Sequence, residues 1–228
     1  TLTCAYGIVS CIDQTNDNDT VGNVEAQAEI SKQFMQSSSI PIFNRMEWLR
    51  RNKNNINLSN QNIKFQFSNA MLTSLSKVIP VSASQDAISQ KLPNNWFFWS
   101  EGDISIGKVG EGLSSSSKEI DTNGITIGAD NRVNQDKMYG AAIRLGKDDV
   151  NVGSLGTSLD TNAYSLSLYG TLTKNDNNFV DGIFGVNRLK TDHIRKKGSN
   201  TLTGERHGKQ VFGSINFSKI SVSYTHLR

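Results

Sequence analysis

Long hydrophobic runs are missing from this sequence. No apolar stretch approaches the ~20 residues that a membrane-spanning helix needs, so any crossing of a bilayer falls to strands. Proline is scarce, at three residues against 19 glycines in 228, and with many Asn and Ser this favours turns and strands over helices. The only cysteines, Cys4 and Cys11, are too few for a disulfide framework and fit no zinc spacing, so they read as incidental thiols. His193, His207 and His226 are the only histidines, and no H-x-x-x-H or carboxylate spacing accompanies them. A G-x-S-x-G elbow, a P-loop and a catalytic acid pair are all lacking, which argues against an enzyme and against a cofactor. Net charge is only +3, so no basic field points to nucleic acid. The opening "TLTCAYGIVSC" has neither a basic n-region nor a starting methionine, and it reads as an internal stretch, upstream of which any targeting signal would lie.

What is present divides into two grammars. Residues 1–93 are rich in Asn, Gln and Ser, with patches of helical spacing. "NVEAQAEISKQFM" is one patch. In "IPIFNRMEWLRRNKNN", Phe43, Met46, Trp48 and Leu49 form an apolar stripe beside Arg45, Arg50 and Arg51. Pro41 either starts this second helix or separates it from the one before. "IKFQFSN" alternates like a short strand, and "AMLTSLSKVI" reads as a further helix. This part is a partly helical linker.

From Asn94 to Ser221 the alternation becomes regular. In "AYSLSLYGTL", Tyr164, Leu166, Leu168, Gly170 and Leu172 oppose Ser165, Ser167, Tyr169 and Thr171. "WSEGDISIGK", "GITIGAD", "YGAAIRLGK", "FVDGIFGVNRLK" and "KQVFGSINFS" follow the same rule, giving about six strands of roughly ten residues. One face is apolar; the other carries Ser, Thr, Gly and charge. Connections alternate long and short, with "VGEGLSSSSKE", "DDVNVGSLGTSLD" and "TDHIRKKGSNTLTGERHG" as the long ones. Outer-membrane barrels have that asymmetry between their two ends. Trp96, Trp99, Tyr139 and Phe179 fall next to the short turns and predict an aromatic girdle at one membrane rim. The fold class expected is all-β, an antiparallel up-and-down transmembrane β-barrel of which about six strands are present. A soluble sheet with aromatics at its ends is the rival.

"NWFFWSEGDISIGKVG", "NGITIGADNRV", "MYGAAIRLGKDDVNVG", "DTNAYSLSLYGTLT" and "NFVDGIFGVN" together resemble the autotransporter β-domain, the translocator of type V secretion. The resemblance implies a bacterial outer-membrane barrel of about twelve strands, with a helix in its pore and an upstream passenger carried to the cell surface. Outer-membrane lipid, the chain's own passenger and the barrel-assembly machinery are the partners it implies. "FNRMEWLRR" is similar to the family's pore helix. In a lumen, Arg45, Arg50 and Arg51 are expected to pair with the wall acids Glu101, Asp103 and Asp130. About forty residues separate this helix from the first strand, more than is usual in the family. No Asn-Asn pair precedes Phe43, so no self-cleavage site is carried over. The alternatives are another outer-membrane barrel, porin-like, or a soluble adhesin-like β-domain. The last residues, "VSYTHLR" from Val222 to Arg228, match a translated transposase-library adapter (GTC TCT TAT ACA CAT) and are expected to be an artefact of sequencing.

Overall fold

The computed structural model describes residues 17–62, 95–175, 178–197 and 199–219. Cys4, Cys11, the expected strand and helix between residues 63 and 94, and Val222–Arg228 lie outside them. Among the described residues one helix, α1 (Asn18–Arg51), is followed by the short strand β1 (Asn60–Asn62). Six long strands come next: β2 (Trp96–Val109), β3 (Lys118–Asn134), β4 (Lys137–Val152), β5 (Thr157–Asn175), β6 (Asn178–Lys197) and β7 (Asn200–Lys219). They form one sheet in sequence order, β1 to β7. β2 to β7 pair antiparallel with their neighbours, and β1 adds parallel to the outer edge of β2. The sheet is wrapped around α1, whose buried side chains pack on the inner faces of the strands.

The strands run to 20 residues, not the expected ten. Two of the three long connections are therefore mostly strand. "DDVNVGSLGTSLD" is the end of β4, a turn at 153–156 and the start of β5, with Gly153 and Gly156 taking the positive φ (62° and 84°) that the turn requires. "TDHIRKKGSNTLTGERHG" is the tip of the β6–β7 hairpin. Only residues 110–117 remain as an extended loop.

The reason lies in an inversion of polarity along β3 to β6, which β2 does not share, since its Ile104 and Ile106 stay exposed opposite Asn123 and Asp121. In the half nearest the short turns, the outer face is apolar: Ile143, Leu166, Leu168, Phe184 and Ile215 are all more than half exposed. The inner face there buries Thr126, Asp130, Arg144, Ser165, Ser167 and Asp181. Toward the long hairpins the order reverses. Ile120, Val150, Val152, Leu159, Ala163 and Leu189 point inward onto Ala26, Ile30 and Phe34 of α1. The outer face carries Asp121, Lys147, Asp149, Asp160, Asn162, Lys190 and Asp192. The inner face of this half is thus mixed, with Lys118, Thr122, Asp148, Thr161 and Thr191 buried beside these apolar side chains, whereas the alternation predicts a uniformly polar one. Alternation persists through the switch while its sign changes, so an outward apolar pattern marks only one half of β3 to β6.

α1 joins both expected helical patches into one run of 34 residues, about 51 Å long. Pro41 lies inside it, neither at its start nor between two helices. An interior proline costs an isolated helix ~3 kcal/mol, and here burial of Ile42, Met46 and Leu49 just beyond it offsets that cost. Asp17 caps the helix by accepting the Thr20 amide at 3.2 Å. Asp19 in the first turn, with Arg50 and Arg51 in the last, complements the helix dipole. The buried stripe Gly22, Ala26, Ile30, Phe34, Ser38, Ile42, Arg45 and Leu49 advances by three or four residues, placing one face of α1 against the sheet.

Candidate functional site

The interface between α1 and the strand wall is built around Arg45, which is 3% exposed. Its Nε and Nη2 donate to the two carboxylate oxygens of Asp130 on β3, at 2.7 and 2.9 Å. Nη2 also donates to the Leu58 carbonyl at 2.6 Å. Tyr169 on β5 donates its hydroxyl hydrogen to Asp130 at 3.0 Å, and the Trp99 indole N–H donates to the Tyr169 oxygen at 2.6 Å. The guanidinium lies 4.8 Å from the Trp48 ring and 5.9 Å from the Trp99 ring. A charge pair shielded from water depends on both members, since either one alone is left unpaired in low dielectric.

Glycines across the ladder make room for these aromatics. Gly128 is the cross-strand partner of Trp99, and Gly140 that of Tyr169. A Cβ on either glycine would collide with the ring lying over it. The glycine-rich inner face therefore accommodates flat wall aromatics as well as the helix.

Further polar contacts run the length of α1. Near its C-terminus Arg50 grips both oxygens of Asp181 on β6 at 2.6 Å, with its guanidinium 3.8 Å above the Phe179 ring. Asn44 donates to Glu101 at 2.7 Å. At mid-helix Ser38 donates to Asn187 at 3.3 Å, and Gln210 donates to the Ser31 carbonyl at 2.9 Å. At the N-terminal end Arg195 donates to Asp17 at 2.7 Å, while Glu25 accepts from Ser115 at 2.6 Å and from Lys118. The N-terminus of α1 thus sits at the long-hairpin end, and its C-terminus at the short-turn end.

Of the basic residues singled out in the sequence, Arg45 and Arg50 reach the wall. Arg51 does not: its side chain is 73% exposed and pairs with Glu47 one turn back. Of the acids, Asp130 meets Arg45 and Glu101 meets Asn44, whereas Asp103 pairs with Arg144 of the wall itself, Nη2 to Oδ2 at 2.7 Å. Asp181, Arg144 and Tyr169 were not singled out. Their strand parity was the available signal, because each shares the inward phase of its strand.

Two of the four rim aromatics are placed differently from expectation. Trp96 and Tyr139 meet edge-to-face at 6.2 Å, with Tyr139 exposed on the outer face. Trp99 is 2% exposed and faces inward, and Phe179 turns inward beneath Arg50. The expectation rested on distance from the turn. Strand phase decides the side, and positions 99 and 179 have the inward phase.

Chemically, the arrangement holds a helix to a wall through bidentate ion pairs and hydrogen bonds. Among the described residues no group of His, Cys, Asp and Glu has the geometry to hold a metal ion.

Comparison with known proteins gives two matches. The family model described as "Autotransporter beta-domain" matches residues 98–220. Outer membrane protein B of Rickettsia japonica (strain ATCC VR-1363 / YH) is 38% identical over 78 residues, covering 32% of this chain. The chain matches only 5% of that protein's length.

Proposed function

The chain belongs to the autotransporter β-domain family, translocators of the bacterial outer membrane, and from that premise we propose that it exports an N-terminal passenger and then anchors it at the cell surface. The wall of β2 to β7 is the membrane part and α1 is the trailing segment of the exported chain, held in the lumen after transport. No covalent step is involved. Insertion by the barrel-assembly machinery belongs to the same proposal.

The observation that carries this reading is the direction of α1. Its N-terminal end is tied through Asp17 to Arg195 and through Glu25 to Lys118 at the long-hairpin end, and its last turn to Asp181 at the short-turn end. In an outer-membrane barrel the short turns face the periplasm and the longer hairpins face outside. The N-terminus of α1 is therefore on the outer side, where a passenger would stand. The exposed apolar outer face supports the membrane assignment, because soluble monomers rarely show a contiguous patch of that size.

Surface proteolysis of intact cells that carry the full-length protein tests the proposal. A tag placed just before residue 17 should be removed by external protease, and a tag in the β3–β4 turn at 135–136 should survive until the outer membrane is breached. Protection of the first tag in intact cells, with cleavage only after lysis, would overturn the export direction.

A further inference from the structure

On β6 and β7, immediately beyond the apolar outer band, four basic side chains form a square. Arg188 is the direct cross-strand partner of Lys209, and Lys190 that of His207. All four lie in the outward phase of their strands. The row just below is Val186 opposite Val211, at 42% and 69% exposure, and belongs to the lipid-facing band. Tyr164 stands opposite Arg188 on the other side, contributing an exposed ring and hydroxyl at the same height.

The two rows of the square differ in their partners. Lys190 and His207 both meet Glu205, at 3.1 and 2.8 Å. Arg188 and Lys209 have no acidic partner among the described residues, although they face each other directly. Like charges opposed across a ladder are destabilising, and an anion seated between them removes that cost. A guanidinium, an ammonium and a phenol hydroxyl in one row are donors suited to phosphate oxygens. Their height matters equally: the first polar row above an apolar band is where lipid headgroups lie.

We propose that Arg188 and Lys209, flanked by Tyr164 and Lys190, form a docking site for the phosphate of a phosphate-bearing lipid in the outer leaflet. The acyl chains of that lipid run down over Val186, Val211 and Leu166. The phosphate contact stands on the geometry of the wall; its assignment to the outer leaflet rests on the membrane orientation proposed above.

Native mass spectrometry of the full-length protein in neutral detergent micelles tests the site. The probe is an acylated diglucosamine bisphosphate, compared with the same lipid stripped of phosphate. One bisphosphorylated lipid should be retained, with affinity about 10-fold or more above that of the stripped lipid. Arg188→Gln with Lys209→Gln should abolish that difference, while the charge-conserving Arg188→Lys with Lys209→Arg should keep it. Equal retention of the two lipids by the unaltered protein would overturn the proposal, and so would unchanged selectivity in a folded glutamine variant. Displacement by inorganic phosphate at concentrations near that of the lipid would also overturn it, by showing a free-anion site. Heat-modifiable gel migration of each sample reports on the barrel separately. Phosphate selectivity with no such migration would count against the membrane reading and not against this site.

Discussion

At the scale of single residues, the account rests on Arg45 and Asp130. Both are almost fully buried, so removing one strands the charge of the other. Asp130→Ala is expected to cost about 3–5 kcal/mol. The double replacement Arg45→Met with Asp130→Leu should restore much of that loss, because paired apolar groups of similar volume are tolerated where a lone charge is not. Urea unfolding of the full-length protein in micelles would measure both. Equal losses in the single and double variants would mean that the pair is not coupled. Gly128→Val addresses the neighbouring aromatic: the new side chain would push Trp99 off its strand partner and cost about 1–3 kcal/mol. Altered near-ultraviolet circular dichroism at the tryptophan bands checks it, and an unchanged spectrum would contradict the packing. Arg45 and Asp130 were legible in the sequence because "FNRMEWLRR" is similar to a pore helix and the alternation of "GITIGAD" puts Asp130 on the polar face. Asp181 did not, since nothing in "FVDGIFGV" distinguishes an acid that meets a helix from one that meets water. The partner of Arg50 is set by the angle at which α1 crosses the sheet, and sequence spacing carries no record of that angle.

At the scale of elements, the inversion of polarity along β3 to β6 makes the sharpest claim. Leu168 and Asn162 lie on the same outer face of β5, six residues apart, yet only the first stands in the apolar band. Leu168→Arg should cost roughly 2–4 kcal/mol, while Asn162→Arg should stay within about 0.5 kcal/mol. Unfolding midpoints in lipid vesicles would separate the two, and equal costs would show that the band is misplaced. Six alternating strands were legible in the sequence because the lipid-facing half of each has the period of two with a strong apolar signal. Their true lengths were not, because beyond Leu145 or Ala163 the apolar residues change sides and the outward pattern turns hydrophilic, as loops do. The same competition hid the continuity of α1. Pro41 reads locally as a helix start or a separator. Burial of Phe34, Ile42 and Met46 on both sides of it holds the run helical.

At the scale of the whole molecule, the sheet has a linear strand order, and β7 has no further strand beyond it among the described residues. At the other end, β1 covers only Trp99 to Glu101 of the edge of β2. Exposed edges of this length invite pairing with other chains, so residues 1–228 produced alone are expected to self-associate in detergent. Analytical ultracentrifugation would show it, and a monodisperse monomer would contradict it. The central claim is that α1 remains lodged inside the wall of the assembled protein. Its most direct test is a disulfide between Ser38→Cys and Asn187→Cys, whose native side chains touch at 3.3 Å, in full-length protein with Cys4 and Cys11 replaced by serine and assembled in outer membranes. The account predicts that mild oxidation links the two positions in the folded, heat-modifiable species and that a membrane-impermeant thiol reagent leaves the thiol introduced on α1 unlabelled. Ready labelling of that thiol, with no crosslink to the one introduced on β6, would place α1 outside the barrel and contradict the account.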